Sequence, residues 1–138
     1  MRRSLASVRT VVVKVGSTSL TDGHGALDDA QLASLAGQIA AARKNGVACV
    51  LVSSGAIAAG LPPLGFKRRP ADIPTLQAAA SVGQNLLVHA YQRAFARRKT
   101  QVGQVLLTQD DFVRRKSYVN ARTTLQRSLE LGVVPIVN

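Results

Sequence analysis

Aromatic side chains are scarce in this chain: phenylalanine and tyrosine together make up 4% of it, and tryptophan is missing. A core with so few rings must be packed from Val, Leu, Ile and Ala, which suits a layered α/β protein better than a small all-β module. Cysteine is scarcer still. Cys49 stands alone, so no internal disulfide framework can form. A thiol inside the apolar 47–52 run reads as a small core residue and fits a reducing compartment, the cytoplasm. No uncharged apolar stretch approaches the roughly 20 residues of a membrane span, so no membrane is expected as a partner. Arg9 and Lys14 interrupt what would be the apolar region of a signal peptide. Acidic residues are outnumbered, with 7 Asp and Glu against 18 Lys and Arg.

The net charge of +11 raises nucleic acid as a partner. The cations fall in short clusters, Arg2-Arg3, Lys67-Arg68-Arg69, Arg97-Arg98-Lys99 and Arg114-Arg115-Lys116. Each lies next to an expected helix end or loop, and helix C-termini favour cations through the dipole alone. Zinc-ligand spacing, aromatic strands that stack RNA and a helix-turn-helix are all missing. A basic nucleic-acid-binding or assembly module is therefore the lesser reading.

At 138 residues and 46% hydrophobic content the chain fits one domain with a real core. Apolar runs and helical periodicity alternate, which predicts strands over 9–16, 47–52, 101–107 and 133–137 and helices over 28–45, 54–64, 73–98 and 117–131. This order predicts α/β architecture, a three-layer αβα sandwich around a mostly parallel sheet. Asp28 and Asp29 offer an N-cap to a helix with an apolar stripe of Leu32, Leu35, Ala36 and Ile39, and Asn45-Gly46 stops it. Pro62-Pro63 must break the helix over 54–64, and a mobile basic loop from Phe66 to Ala71 should follow. Asp72-Ile73-Pro74 opens a long alanine-rich helix. Within it Gly83 costs about 1 kcal/mol against alanine; either another backbone packs closely there or the position is a tolerated weak spot. Residues 1–8 read as a flexible start. The last strand ends at Asn138, where ligands gather at the carboxyl ends of parallel strands, so 9–138 is expected to be the N-terminal part of a larger domain.

Two strand-to-helix junctions carry the chemistry: Val11-Val12-Val13-Lys14-Val15-Gly16-Ser17-Thr18 and Val50-Leu51-Val52-Ser53-Ser54-Gly55-Ala56-Ile57-Ala58-Ala59-Gly60. In each, a β-branched run suited to a strand buried on both faces ends in small residues that admit a ligand to the backbone. Lys14 adds a positive charge, and a lysine among valines is hard to bury without a partner. Ser54 offers a hydroxyl or a helix cap, and Gly55 bare amides at a helix start. A phosphoryl donor and an acidic acceptor fit such a pair of turns. Neither G-x-x-x-x-G-K-[ST] nor G-x-G-x-x-G occurs, so the site is neither a P-loop nor a Rossmann cofactor site. Gly-x-Ser-x-Gly is also missing, and His24 and His89 read as solvated or packing residues. Asp110 and Asp111 read as first-turn helix charges, not metal ligands.

Five blocks taken in order, Val12-Val13-Lys14-Val15-Gly16-Ser17, Val52-Ser53-Ser54-Gly55-Ala56-Ile57-Ala58-Ala59-Gly60, Gln77-Ala78-Ala79-Ala80-Ser81-Val82-Gly83-Gln84, Val102-Gly103-Gln104-Val105-Leu106-Leu107-Thr108 and Val119-Asn120-Ala121-Arg122, resemble the glutamate 5-kinase branch of the amino acid kinase family. The resemblance runs from Arg9 to Asn138. It implies ATP-dependent phosphorylation of the γ-carboxylate of L-glutamate to L-glutamyl 5-phosphate, the first step of proline biosynthesis, with proline as feedback inhibitor. It implies Lys14 as the catalytic contact to the ATP phosphates and Gly16, Ser17 and Thr18 as the phosphate turn. Ser54, Gly55, Ala56 and Asn138 would bind glutamate. Mg2+ is implied with ATP, without an identifiable ligand in this stretch. A homo-oligomer packed through helix 73–98 is implied as well. The family's second phosphate-binding lysine and adenine-binding half would lie beyond Asn138, so the isolated chain is expected to be inactive. A kinase of a related carboxylate acceptor is the alternative.

Overall fold

The valine-rich run after Arg9 takes the extended form that β-branched side chains favour. In the computed structural model, which describes residues 7–22 and 24–138, it forms strand β1 (Thr10–Val15). The expected flexible start at 1–8 lies outside the described residues except for Ser7 and Val8. Helix α1 (Asp29–Lys44) is capped by the Asp28 carboxylate, which accepts from the amides of Ala30 at 2.9 Å and Gln31 at 3.1 Å. Strand β2 (Ala48–Ser53) follows, then helix α2 (Ala56–Gly60) and helix α3 (Ile73–Ala96). Asp72 caps α3 by accepting from Thr75 N at 2.9 Å. Strand β3 (Val102–Val105), helices α4 (Gln109–Val113) and α5 (Arg115–Glu130) and strand β4 (Val134–Val137) complete the order.

The four strands are parallel and lie in the order β1-β2-β4-β3. Right-handed crossovers then assign the layers. The steps from β1 to β2 and from β2 to β3 run one way across the sheet and the step from β3 to β4 runs back, so α1 and α3 take one face and α5 the other. The α/β sandwich expected from the alternation is thus present. Its core lies between the sheet and α1 and α3, where Leu32, Ala36 and Ile39 meet Leu87, Tyr91 and Phe95 over Cys49, Leu51, Val134 and Ile136. Burial pushes the Cys49 thiol above its ordinary pKa, opposed by the charge of Arg43. No helix among the described residues is long and apolar enough to cross a membrane.

Three expectations are corrected. Strand β1 is not buried on both faces: it is an edge strand, and α1 and α3 cover only one side of it, so Val12 is 63% exposed and Lys14 is exposed beside it. The helix over 54–64 is only five residues long. Pro62 and Pro63, each without an amide hydrogen, turn the chain into a 3₁₀ segment (Pro62–Leu64) that Gly65 ends in the left-handed region at φ 81°. Helix α5 starts at Arg115 rather than 117, and a short helix, α4, precedes it. Thr108 and Asp111 form a capping box at the start of α4, with Asp111 accepting from Thr108 N at 2.7 Å and Thr108 Oγ1 at 2.9 Å. Asp110 and Asp111 are the first-turn charges expected of them.

Candidate active site

Parallel pairing carries both junctions to the same edge of the sheet. Val15 pairs with Ser53, and the Ser54 amide donates to the Val15 carbonyl at 3.0 Å. After Val15 the chain passes through extended Gly16 into a 3₁₀ turn (Ser17–Ser19), closed by Ser19 N donating to Gly16 O at 3.1 Å. Lys14 folds over this turn: its Nζ lies 3.5 Å from where a Cβ on Gly16 would stand. Gly55 lies in the left-handed region at φ 111°, where a side chain is strained. A Cβ there would stand 3.4 Å from Ser17 Cα, so the two turns abut.

Between them opens a cleft of about 410 Å³ lined by Ser17, Ser54, Gly55, Ala56, Arg69 and Asn138, with Ala80 of α3 behind. Five of the eight expected site residues therefore share one cleft: Ser17, Ser54, Gly55, Ala56 and Asn138. Lys14 and Gly16 adjoin it through Ser17, and Thr18 is exposed outside its lining. Two arguments from the sequence change. The burial argument for Lys14 fails because the residue is exposed, and what remains is its position at the carboxyl end of a strand beside the glycine turn. Ser54 is not a helix cap, since Gly55 occupies the N-cap position and no side chain caps α2. With only five residues α2 also has little dipole to offer, so any grip on an anion comes from the unpaired amides of its first turn.

The position of α2 is set by glycine against glycine. A Cβ on Gly83 would lie 1.7 Å from the Ala56 carbonyl oxygen, and one on Gly60 would lie 1.8 Å from the Ala79 oxygen. The close-packing explanation of Gly83 holds, and the weak-spot explanation falls. Behind the cleft the Ser53 and Tyr91 hydroxyls hydrogen-bond at 2.9 Å, both buried, which pins the end of β2 to α3. Desolvation pushes the Tyr91 hydroxyl above its ordinary pKa, with the Ser53 bond opposing.

Arg69, Ala80 and Gln84 escaped the sequence reading as site residues. Arg69, counted there only as part of a basic cluster, brings a guanidinium to the cleft. Gln84 accepts a hydrogen bond from Asn138 Nδ2, while its own Nε2 is buried without a partner among the described residues. The Asn138 backbone is held by β3 through Val105 O and by Leu107 N, each at 3.1 Å. Ala80 and Gln84 are one helical turn apart in a block already singled out, and that i, i+4 spacing was the available signal. No spacing rule announces Arg69, because a loop brings it in.

Chemically, the cleft offers hydroxyls, an amide, a guanidinium and backbone N–H groups, with the Lys14 ammonium beside it. That set suits anions. No group of three or more His, Cys, Asp or Glu among the described residues is placed to hold a metal ion. His24 and His89 are both exposed and outside the cleft lining.

A family model described as the amino acid kinase family matches residues 9–138. Among curated relatives, the chain is 56% identical over its whole length to a glutamate 5-kinase of Bifidobacterium animalis subsp. lactis, covering 37% of that protein. It is 58% identical to a glutamate 5-kinase of Frankia casuarinae and 55% identical to one of Salinispora arenicola, in each case over all of this chain and 37% of the relative. The chain thus spans little more than a third of the length of the relatives it matches. With the match running from the first strand through the last, the chain belongs to the amino acid kinase family.

Proposed function

We propose that the protein acts as a glutamate 5-kinase, transferring the γ-phosphoryl group of ATP to the side-chain carboxylate of L-glutamate in the first step of proline biosynthesis. The observation that carries this reading is the single cleft in which the two glycine turns meet, Ser17 on one side and Ser54, Gly55 and Ala56 on the other. In the reaction a carboxylate oxygen forms a bond to the γ-phosphorus as the bond to the β-phosphate oxygen breaks, and the electron pair leaves with ADP. The acceptor is already ionised at neutral pH, so no proton has to be removed and no general base is needed. What the protein must supply is position and compensating charge.

Lys14 is proposed to neutralise charge on the phosphoryl group in transit, with Gly16, Ser17 and Thr18 shaping the phosphate turn. Ser54, the amides of Gly55 and Ala56, and Asn138 are proposed to hold glutamate, with Gln84 orienting the Asn138 amide. The described residues do not form a metal-holding set, so Mg2+ is proposed only as part of the magnesium–ATP substrate, a common mode for this ion. Feedback inhibition by proline, a cytoplasmic location and a homo-oligomer built through α3 complete the proposal. For the oligomer, Ile73 and Leu86 on α3 are exposed at 67% and 42%.

The test is ATP-dependent formation of γ-glutamyl phosphate, trapped with hydroxylamine, by this chain and by a version extended to the length of its relatives. Lys14→Ala is expected to lower kcat by about a hundredfold or more, and Ser54→Ala to raise the KM for glutamate. Glutamate-independent turnover, or full activity after Lys14→Ala, would sink the assignment.

A further inference from the structure

At the edge of the sheet opposite the cleft, where α1 and α3 end, a second concavity of about 370 Å³ is lined by Lys44, Arg97, Arg98 and Lys99 around Gly37. Four cationic residues line it and no carboxylate does, although Arg97 also borders the neighbouring cavity that Asp29 and Arg93 line. All seven carboxylate side chains of the protein lie among the described residues, and each is engaged elsewhere. Asp22, Asp28, Asp72 and Asp111 accept backbone amides, Asp29 pairs with Arg93, Asp110 with Arg114 and Glu130 with Arg127.

Dipole compensation accounts for a cation such as Lys44 in the last turn of α1, and not for the reach of Arg98. The last carbonyls of α1 are closed by the amides of Asn45, Gly46 and Val47, and those of α3 by the amides of Arg98, Lys99 and Thr100. Arg98 moreover reaches across the middle of α1, its guanidinium 3.1 Å from where a Cβ on Gly37 would stand, nearly two turns before that helix ends. Lys99 has φ 54°, the only positive value among the described non-glycine residues. Glycine or asparagine would hold that turn with less strain than the lysine. An outlier of this kind points toward function.

We infer that Lys44, Arg97, Arg98 and Lys99 form a binding site for a multiply charged phosphate anion, a di- or triphosphate group. Two guanidinium forks and two ammonium groups match closely spaced phosphate oxygens. The site does not depend on the kinase assignment, since it lies at the other end of the sheet.

The experiment is calorimetric titration of this chain with inorganic tripolyphosphate and, separately, with magnesium-free ATP at about 0.15 M salt. Arg97→Gln with Arg98→Gln is expected to weaken tripolyphosphate binding by about tenfold or more, while Lys67→Gln with Arg68→Gln, which removes the same charge elsewhere, leaves it within twofold, about the scatter between titrations. Lys99→Gly separates binding from folding: it should raise the melting temperature and yet weaken the anion. An ATP affinity that falls with the arginines marks a nucleotide as the source of the phosphates, and a response of tripolyphosphate alone marks free polyphosphate; both support the site. Equal losses from the two double variants would reduce it to net charge. Loss on Lys14→Ala would move the binding to the cleft, and a preference for a single-stranded oligonucleotide over tripolyphosphate would make it a nucleic-acid surface. Each of these three results overturns the inference.

Discussion

Phe95 and Phe112 are the same side chain in opposite circumstances. Phe95, on α3, is wholly buried between that helix, α1 and the sheet; Phe112, on α4, is 64% exposed. The contrast extends to the layers they belong to. α1 and α3 bury Leu32, Ala36, Ile39, Leu87, Tyr91 and Phe95, whereas α4 and α5 bury no residue fully. On that second side Leu107, Phe112, Tyr118, Leu125 and Leu129 line an open apolar groove of about 230 Å³, and at the far edge of the sheet Val12 faces outward. Burial at roughly 25 cal/mol per Å² therefore stabilises one face far more than the other. The candidate cleft draws its rigid parts, β2, α2 and α3, from the well-packed side.

The comparison is broken most directly by truncating both rings. Phe95→Ala should cost about 3–5 kcal/mol, the range for emptying a buried aromatic site, and Phe112→Ala about 0.5 kcal/mol or less, as for surface positions. Urea denaturation of the two variants measures both, and comparable losses would mean that the α4–α5 side carries as much of the fold as the other. Next in size is Gly83→Ala. Its Cβ would strike a backbone oxygen that cannot swing aside, so a loss approaching about 3 kcal/mol is expected. A variant as stable as the parent would show that α2 can slide along α3. The smallest effect is acid sensitivity at the weakly packed side. Hydrogen bonds from the Thr108 amide and hydroxyl hold the Asp111 carboxyl below its ordinary 3.8. A folded pKa below the unfolded one means that the contribution is present above 3.8 and is lost as pH falls through the lower folded value. Asp111→Asn should accordingly flatten part of the acid limb of a melting-temperature profile. An unchanged limb would leave Asp72, lowered in the same way by Thr75, as the main acid-sensitive cap.

Most elements and the two glycine turns that line the cleft were legible because their signals are local. Asp28 and Asp72 cap the helices they were expected to cap, and the apolar stripe of α1 faces the core. The errors cluster where neighbours decide. A run of valines reads the same at the edge of a sheet as at its centre, so the exposure of Val12 and Lys14 followed only from strand order. Helix α4 was missed although Thr108 and Asp111 have capping-box spacing, because five residues show no helical period. Of the two roles open to Ser54, a cap or a free hydroxyl, the left-handed backbone at Gly55 gave the cap position to the glycine.

By itself the sequence determined, to within a residue, where strands begin, where α1 and α3 are capped, which glycines permit tight turns and which two junctions present polar groups, since each depends on a few residues adjacent along the chain. Only the tertiary structure decided that Gly60 and Gly83 bring two backbones into contact, that Arg69 and Gln84 join Ser17, Ser54 and Asn138 around one cleft, and that four cations gather beside Gly37 at the opposite end. Those meetings join residues far apart in the chain. They are set by the parallel strand order and the hand of the crossovers, which no local pattern of side chains encodes.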